Sequence, residues 1–213
     1  NFDTLFTLVN GNLDDNNISS LSASKITGVL DNSSIPKPDK SIIFYTQPQA
    51  IYKQGNLGGR TGADNICKNY LDNNSVLYFN NACSNIRAVI SIDSNDEIRD
   101  MVSNYSVPTN RELRGDSGLR FGTSWDSFLN GNLIHPLEFA ILGIVSTGGI
   151  SSLNEFTSGS DPGGALDPTN NCDGYTSTSA GSSAVIDGTL TSNIFSSRNA
   201  NCDHERHILC ICF

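Results

Sequence analysis

The last thirteen residues, Asn201-Cys202-Asp203-His204-Glu205-Arg206-His207-Ile208-Leu209-Cys210-Ile211-Cys212-Phe213, hold three of the chain's six cysteines. Ile208 to Phe213 is short, apolar and rich in β-formers, which predicts a buried strand. A closing strand with several cysteines must be stapled to something earlier, and the candidates are Cys67, Cys83 and Cys172. Six cysteines without a CxxC pair at zinc-finger spacing favour disulfides over metal. Cys210 and Cys212 come nearest to a chelate, but on a strand they point the same way with no flanking ligands. Disulfides imply an oxidising compartment, and hence an exported chain.

With 213 residues, 37% hydrophobic and only 16% charged, the chain can build one core wrapped in long Gly/Ser/Asn-rich loops. Its net charge of −9 argues against nucleic acid, heparin or an anionic membrane as principal partner, since each needs a positive face. No apolar run reaches membrane-spanning length, and Asn1-Phe2-Asp3 does not open a signal peptide. The sequence reads as a piece of something longer.

Residues 1–40 differ from the rest. Asn10-Gly11-Asn12-Leu13-Asp14-Asp15-Asn16-Asn17-Ile18 and Ser24-Lys25-Ile26-Thr27-Gly28-Val29-Leu30-Asp31 separate single apolar residues by small polar ones. Alone, such a segment buries too little surface to offset its ordering entropy. It is either a linker or one of three copies wound about a shared apolar axis. Ser22-Ala23-Ser24-Lys25-Ile26-Thr27-Gly28-Val29-Leu30-Asp31 through Ile35-Pro36 resembles the short repeats of trimeric bacteriophage tail fibres and related bacterial surface fibres. Pro36-Lys37-Pro38-Asp39-Lys40 then reads as a stiff linker.

From 41 to 213 the sequence predicts an α+β head. Ile42-Ile43-Phe44-Tyr45-Thr46 is a strand. After the turn Gly55-Asn56-Leu57-Gly58-Gly59-Arg60, which lacks the residues of a phosphate loop, Thr61 is placed to cap a helix with Asp64 at its third position. Ala63, Ile66, Cys67, Tyr70 and Leu71 draw one apolar stripe along that helix. Further strands are expected over Ile86–Ile92, Glu138–Val145 and Ala184–Ile186. Ser94-Asn95-Asp96-Glu97 reads as a capping box opening a helix that buries Ile98, Met101 and Val102. A short helix follows, with Trp125, Phe128 and Leu129 inward and Gly131 as its stop. Trp125 could instead stack on a sugar, but its spacing to Phe128 and Leu129 favours the core. Residues 146–183 form a long polar loop region, and loops of that length are usually functional or tied down.

Tyr45-Thr46 with Gly55-Asn56-Leu57-Gly58-Gly59-Arg60-Thr61-Gly62-Ala63-Asp64-Asn65-Ile66-Cys67 resembles the opening of the endostatin-like (C-type-lectin-like) family. A family of bacterial surface proteins of unknown function shares the pattern. Arg87-Ala88-Val89-Ile90-Ser91, Ser124-Trp125-Asp126-Ser127-Phe128-Leu129, Asn171-Cys172-Asp173-Gly174-Tyr175-Thr176, Cys202-Asp203-His204 and Ile208-Leu209-Cys210-Ile211 follow in the family's order. The resemblance implies bridges Cys67–Cys210 and Cys172–Cys202. Cys83 and Cys212 are extra to the pattern and are left to pair with each other.

Little catalytic chemistry is on offer. His204 and His207, three apart on an incoming strand, go to opposite faces, and His135 is the only other histidine. The histidine cluster and basic surface of endostatin have no counterpart, and the calcium-binding lectin signatures are missing; Gln47-Pro48-Gln49 lies in the wrong place. Asp161, Asp167 and Asp173 read as a solvated acidic loop rather than a calcium site. No Gly-x-Ser-x-Gly elbow is present, while Glu138 and Glu155 could pair in space. The expectation is therefore a homotrimeric fibre tip without cofactor, metal or catalytic residues: a stalk (1–40) and an endostatin-like head (41–213) that adheres to a cell-surface glycan or protein. It belongs on an extracellular or cell-surface fibre, or on a virion tail fibre. The expected contacts lie in 146–182, at Asn154, Glu155, Phe156, Asp161, Asn170, Asp173 and Tyr175, because loops on a rigid frame carry recognition. The rival classes are a glycan hydrolase and a purely structural fibre cap.

Overall fold

In a computed structural model of the chain, the described residues are 41–46, 52–53, 55–73, 83–142, 154–179 and 181–213, with backbone only at 52–53 and 196–197. They all fall within the unit Lys37–Phe213. The expected stalk, residues 1–40, lies outside them, as do Gln47-Pro48-Gln49 and 146–153 of the expected contact region.

The fold is mixed α+β. In chain order it comprises β1 (Ser41–Tyr45), β2 (Tyr52–Lys53), α1 (Gly59–Asn73), β3 (Ile86–Ala88), α2 (Met101–Tyr105), β4 (Glu112–Gly115), β5 (Arg120–Gly122), α3 (Trp125–Leu129), α4 (Leu137–Ala140), β6 (Glu155–Thr157), β7 (Ser182–Asp187), β8 (Phe195–Asn201), β9 (Glu205–Ile208) and β10 (Cys210–Cys212). Two five-stranded sheets result, ordered β3-β10-β1-β4-β5 and β2-β9-β6-β7-β8. The closing segment serves both. β9 lies between β2 and β6 in the second sheet, and at Leu209 the chain crosses to the first, where β10 runs between β3 and β1. Two hydrogen bonds pin the crossing, Thr46 Oγ1 to the Ile208 carbonyl and the Val89 N–H to that of Leu209, each 2.8 Å.

The first sheet is the middle layer, and this explains its unbroken apolar strands. Ile42, Phe44, Leu209, Ile211 and Phe213 face one core with Phe121, Trp125, Phe128, Phe156, Ile186 and Phe195. Ile43, Tyr45, Ile208, Cys210 and Cys212 face the other, under α1, with Ala63, Cys67, Leu71 and Tyr175. All three bridges are present: Cys67–Cys210, Cys83–Cys212 and Cys172–Cys202. They mark a chain that matures in an oxidising, extracellular-type compartment. No helix among the described residues is long and apolar enough to cross a membrane.

Trp125 is wholly buried against Phe44 and Phe128 and offers no platform to a sugar. Its helix is capped by Ser124, with Ser127 returning the bond. Other expectations change. α1 begins at Gly59 rather than after Thr61, because Asp64 is occupied elsewhere, accepting the Ala88 N–H at 2.8 Å. No capping box forms at Ser94; residues 93–96 make a closed turn, and the Ile98 N–H is taken by Ser91 Oγ at 2.9 Å. The expected strand over Ile86–Ile92 shortens to Ile86–Ala88, after which Ser91 bonds to the Ser158 carbonyl instead.

The expected strand at Glu138–Val145 is overturned over its described part, since Leu137–Ala140 is a helical turn. That turn packs on Gly115, where a Cβ would stand 1.9 Å from the Ala140 carbonyl oxygen. Beside it the buried Asp116 carboxylate accepts the Leu142 N–H. Burial pushes the Asp116 carboxyl up to about 7, against the pull of the backbone N–H groups of Leu142, Asp116 and Ser117; among the described residues, Tyr70 of α1 feels its charge. Since the folded value is raised, stability is greatest below the ordinary carboxyl range and falls as pH rises towards 7. Asp116→Asn removes that fall, so its unfolding free energy should gain on the parent's between pH 4 and pH 8, by up to about 4 kcal/mol, with the melting temperature rising in step. Thermal melts across pH check this; a constant difference would contradict it.

Candidate recognition site

Ile43 pairs with Cys212 and Tyr45 with Cys210, so Ser41 and Phe213 lie at the same end of the first sheet. The turns at 93–96, 116–119, 137–142 and 172–175 gather at the other. There the Ser117 N–H meets the Ala140 carbonyl, and Gly174 lies against Ile92.

The most unusual backbone is at Cys172–Tyr175. All four residues have left-handed φ, of 52°, 54°, 61° and 60°. A left-handed helical turn costs roughly 1–2 kcal/mol for each residue other than glycine. Three restraints hold it. Cys172 is bridged to Cys202, and Asn171 Oδ1 accepts the Gly174 N–H. The buried Tyr175 hydroxyl sits between Thr157 Oγ1 at 3.0 Å and Ser183 Oγ at 2.9 Å. Burial pushes that phenol up to about 12, so it stays neutral. Gly55 must approach this region closely, because a Cβ there would meet the Ser177 carbonyl at 2.2 Å. The turn presents Asp173 in the open.

The seven expected contact residues do not converge. Phe156 and Tyr175 are fully buried, one in each core, so neither offers a ring face to a partner. Glu155 is also buried and ion-paired with Arg206 at 3.2 Å and Arg198 at 3.5 Å. Asn154, half-buried, donates to Glu138 Oε2 at 2.6 Å, so Glu138 has an amide partner where Glu155 has two arginines. Asp161 lies inside a hairpin closed by the Ser160–Leu166 bridge, and Asn170 follows it. Just past the hairpin Asp167 accepts from Thr169 and Asn170. Burial alone would raise the Asp167 carboxyl, but those donors outweigh it and hold it below its ordinary value. Asp161 is raised, by desolvation first and the Asp167 charge second. Of the seven, Asp161 and Asp173 stand exposed at this end. His207 is buried in β9 and His204, just before it, is exposed.

Sequence reasoning missed the apolar surface. Phe139 is 65% exposed and Leu142 55%, with Leu119, Ile134 and Leu190 also in the open. Hydrogen bonds join their segments: Leu133 to Thr191, Ile134 to Phe121, Glu138 to Gly188 and Ser117 to Ala140. In a strand Phe139 would alternate with its neighbours; in a helical turn Leu137, Ala140 and Ile141 go inward and Phe139 and Leu142 go out. Pro136, immediately before that turn, was the one available signal.

No protein-family model matches this chain, and no curated protein matches it.

Proposed function

We propose that the chain is the end of a homotrimeric fibre, with residues 1–40 as its stalk and 41–213 as an endostatin-like (C-type-lectin-like) head that adheres to a cell-surface glycan or protein. The head binds and carries out no chemistry of its own. One observation carries the reading: the end of the first sheet remote from Ser41 displays Phe139 and Leu142 in the open, on a frame held by three bridges. Large apolar side chains grouped in water mark contact surfaces, and a rigid frame lowers the ordering cost of binding. Asp161 and Asp173 give the same end polar contacts. Three heads on one stalk raise weak contacts to useful avidity.

The double variant Phe139→Ser/Leu142→Ser tests it. Both side chains are exposed, so the melting temperature should hold. Retention on intact bacterial cells, with a glycan panel in parallel, should fall at least about tenfold for three heads that each lose an apolar anchor. Unchanged retention by the folded variant would overturn the assignment. Light scattering on the full chain should give three times the chain mass.

A further inference from the structure

The three bridges are not equally protected. Five of the cysteines are 0–2% exposed, whereas Cys83 is half-buried. It lines a cleft of about 420 Å³ between α1 and the start of β3, with Asp64, Lys68, Asp72 and Arg87 on its walls. A cleft of that size admits a thiol such as cysteine or glutathione, while the four cysteines of Cys67–Cys210 and Cys172–Cys202 are each at most 2% exposed. We propose that Cys83 Sγ is a thiol–disulfide exchange site, at which a low-molecular-weight thiol opens the Cys83–Cys212 bridge while the head remains folded.

The chemistry needs only the thiol. Its thiolate bonds to Cys83 Sγ as the Sγ–Sγ bond breaks, and the electron pair leaves on Cys212 Sγ, which takes a proton from water. A second thiol then attacks the mixed disulfide and releases Cys83 as a thiol. Two thiols are oxidised to one disulfide, and one bridge is reduced to two cysteines. Arg87 and Lys68 attract the incoming anion, but Arg87 lies 3.5 Å from Asp64 and Lys68 2.7 Å from Asp72, so the charges offset each other. Access therefore selects the site.

The head survives the loss because β10 stays held without that bridge. Cys210, two residues earlier, is still joined to Cys67. Phe213 keeps its paired backbone bonds with Asn85, each 3.1 Å. Opening the bridge leaves a thiol on the cleft wall at Cys83, a point for reversible covalent attachment.

The test incubates the full oxidised chain with reduced glutathione at about neutral pH, quenches with acid, alkylates and maps cysteines by mass spectrometry over time. The expected result is glutathionyl or alkyl label on Cys83 and Cys212 at a rate on the order of tenfold or more above the other four cysteines, with near-UV circular dichroism retained. Label on Cys67, Cys210, Cys172 or Cys202 at a comparable rate overturns the proposal. So does a chain that gains label only as it unfolds. Binding to cells is not part of the readout, so this test can fail while the adhesin reading stands, and the reverse.

Discussion

Removing the two bridges that hold β10 should cost more together than the sum of removing each alone. Cys67–Cys210 spans 143 residues and Cys83–Cys212 spans 129, but the two loops are nearly concentric. With one bridge in place, the other closes an added ring of only roughly 18 residues, worth about 3 kcal/mol by chain entropy. The first bridge closes most of the head and is worth about 5 kcal/mol. Cys83→Ala/Cys212→Ala and Cys67→Ala/Cys210→Ala should each lose about 3 kcal/mol, and the variant lacking both bridges about 8. A domain is typically stable by only about 5–15 kcal/mol, so the single-bridge variants should melt cooperatively and the four-alanine variant should be largely unfolded at 37 °C. Alanine is the right replacement because Cys67, Cys210 and Cys212 lie in an apolar cluster where a serine hydroxyl would add its own penalty. Denaturant titrations of the three variants decide the matter; a four-alanine protein as stable as either pair variant would contradict it.

Arg60→Ala should be the most damaging single substitution of a charged residue among those described. Its guanidinium forks onto Asp96 with two 2.8 Å bonds and donates to the Ala88 and Ile90 carbonyls at 2.7 and 2.6 Å. It also lies 5.2 Å above the Tyr105 ring, whose hydroxyl donates to the same carboxylate. One side chain thus joins α1, β3, the 93–96 turn and α2. Its removal leaves a largely buried carboxylate with the Tyr105 hydroxyl but no guanidinium, and takes a donor from each of two carbonyls, at about 4–5 kcal/mol. Nearby Asp64, already raised above its ordinary value by desolvation and pulled down in part by Arg60, would rise further. Arg60→Lys keeps the charge but loses the fork and should recover less than half. Urea melts give the numbers, and a loss below about 1 kcal/mol for the alanine variant would show that the network contributes little.

What the sequence made legible is what its local chemistry repeats. β1 and β10 are buried on both faces, so each is an unbroken apolar run. α1 shows its stripe because Ala63, Cys67 and Leu71 recur at helical spacing. α3 carries its own cap. The elements that were missed depend on distant partners. β6 looked like loop because Glu155 and Thr157 are polar, yet Glu155 is buried through Arg206 and Arg198, and Thr157 through Tyr175 and Ser183. Phe156 and Tyr175 looked like contact residues because aromatic rings in a polar stretch resemble stacking platforms; the cores that take them in are assembled from strands far along the chain. Asp64 and Glu97 follow capping patterns but are drawn off by Ala88 and Leu166. Asp173-Gly174 tolerates left-handed backbone locally, but Cys172 and Tyr175 do not signal it, and they are held there by the bridge to Cys202 and a buried hydroxyl network. Phe139 and Leu142 were misplaced for a simpler reason: an apolar run reads as core whichever period it follows.

The closing segment joins both sheets and fixes the frame from which the exposed end is hung. Native-state hydrogen–deuterium exchange of the oxidised chain measures this directly. The amides of β9 and β10 should be among the slowest, exchanging only through global unfolding, while those of 117–119 and 161–163 exchange through local opening. If the amides of Cys210–Cys212 exchanged as fast as those turns, the segment would not be holding the sheets together, and the frame proposed for adhesion would fail with it.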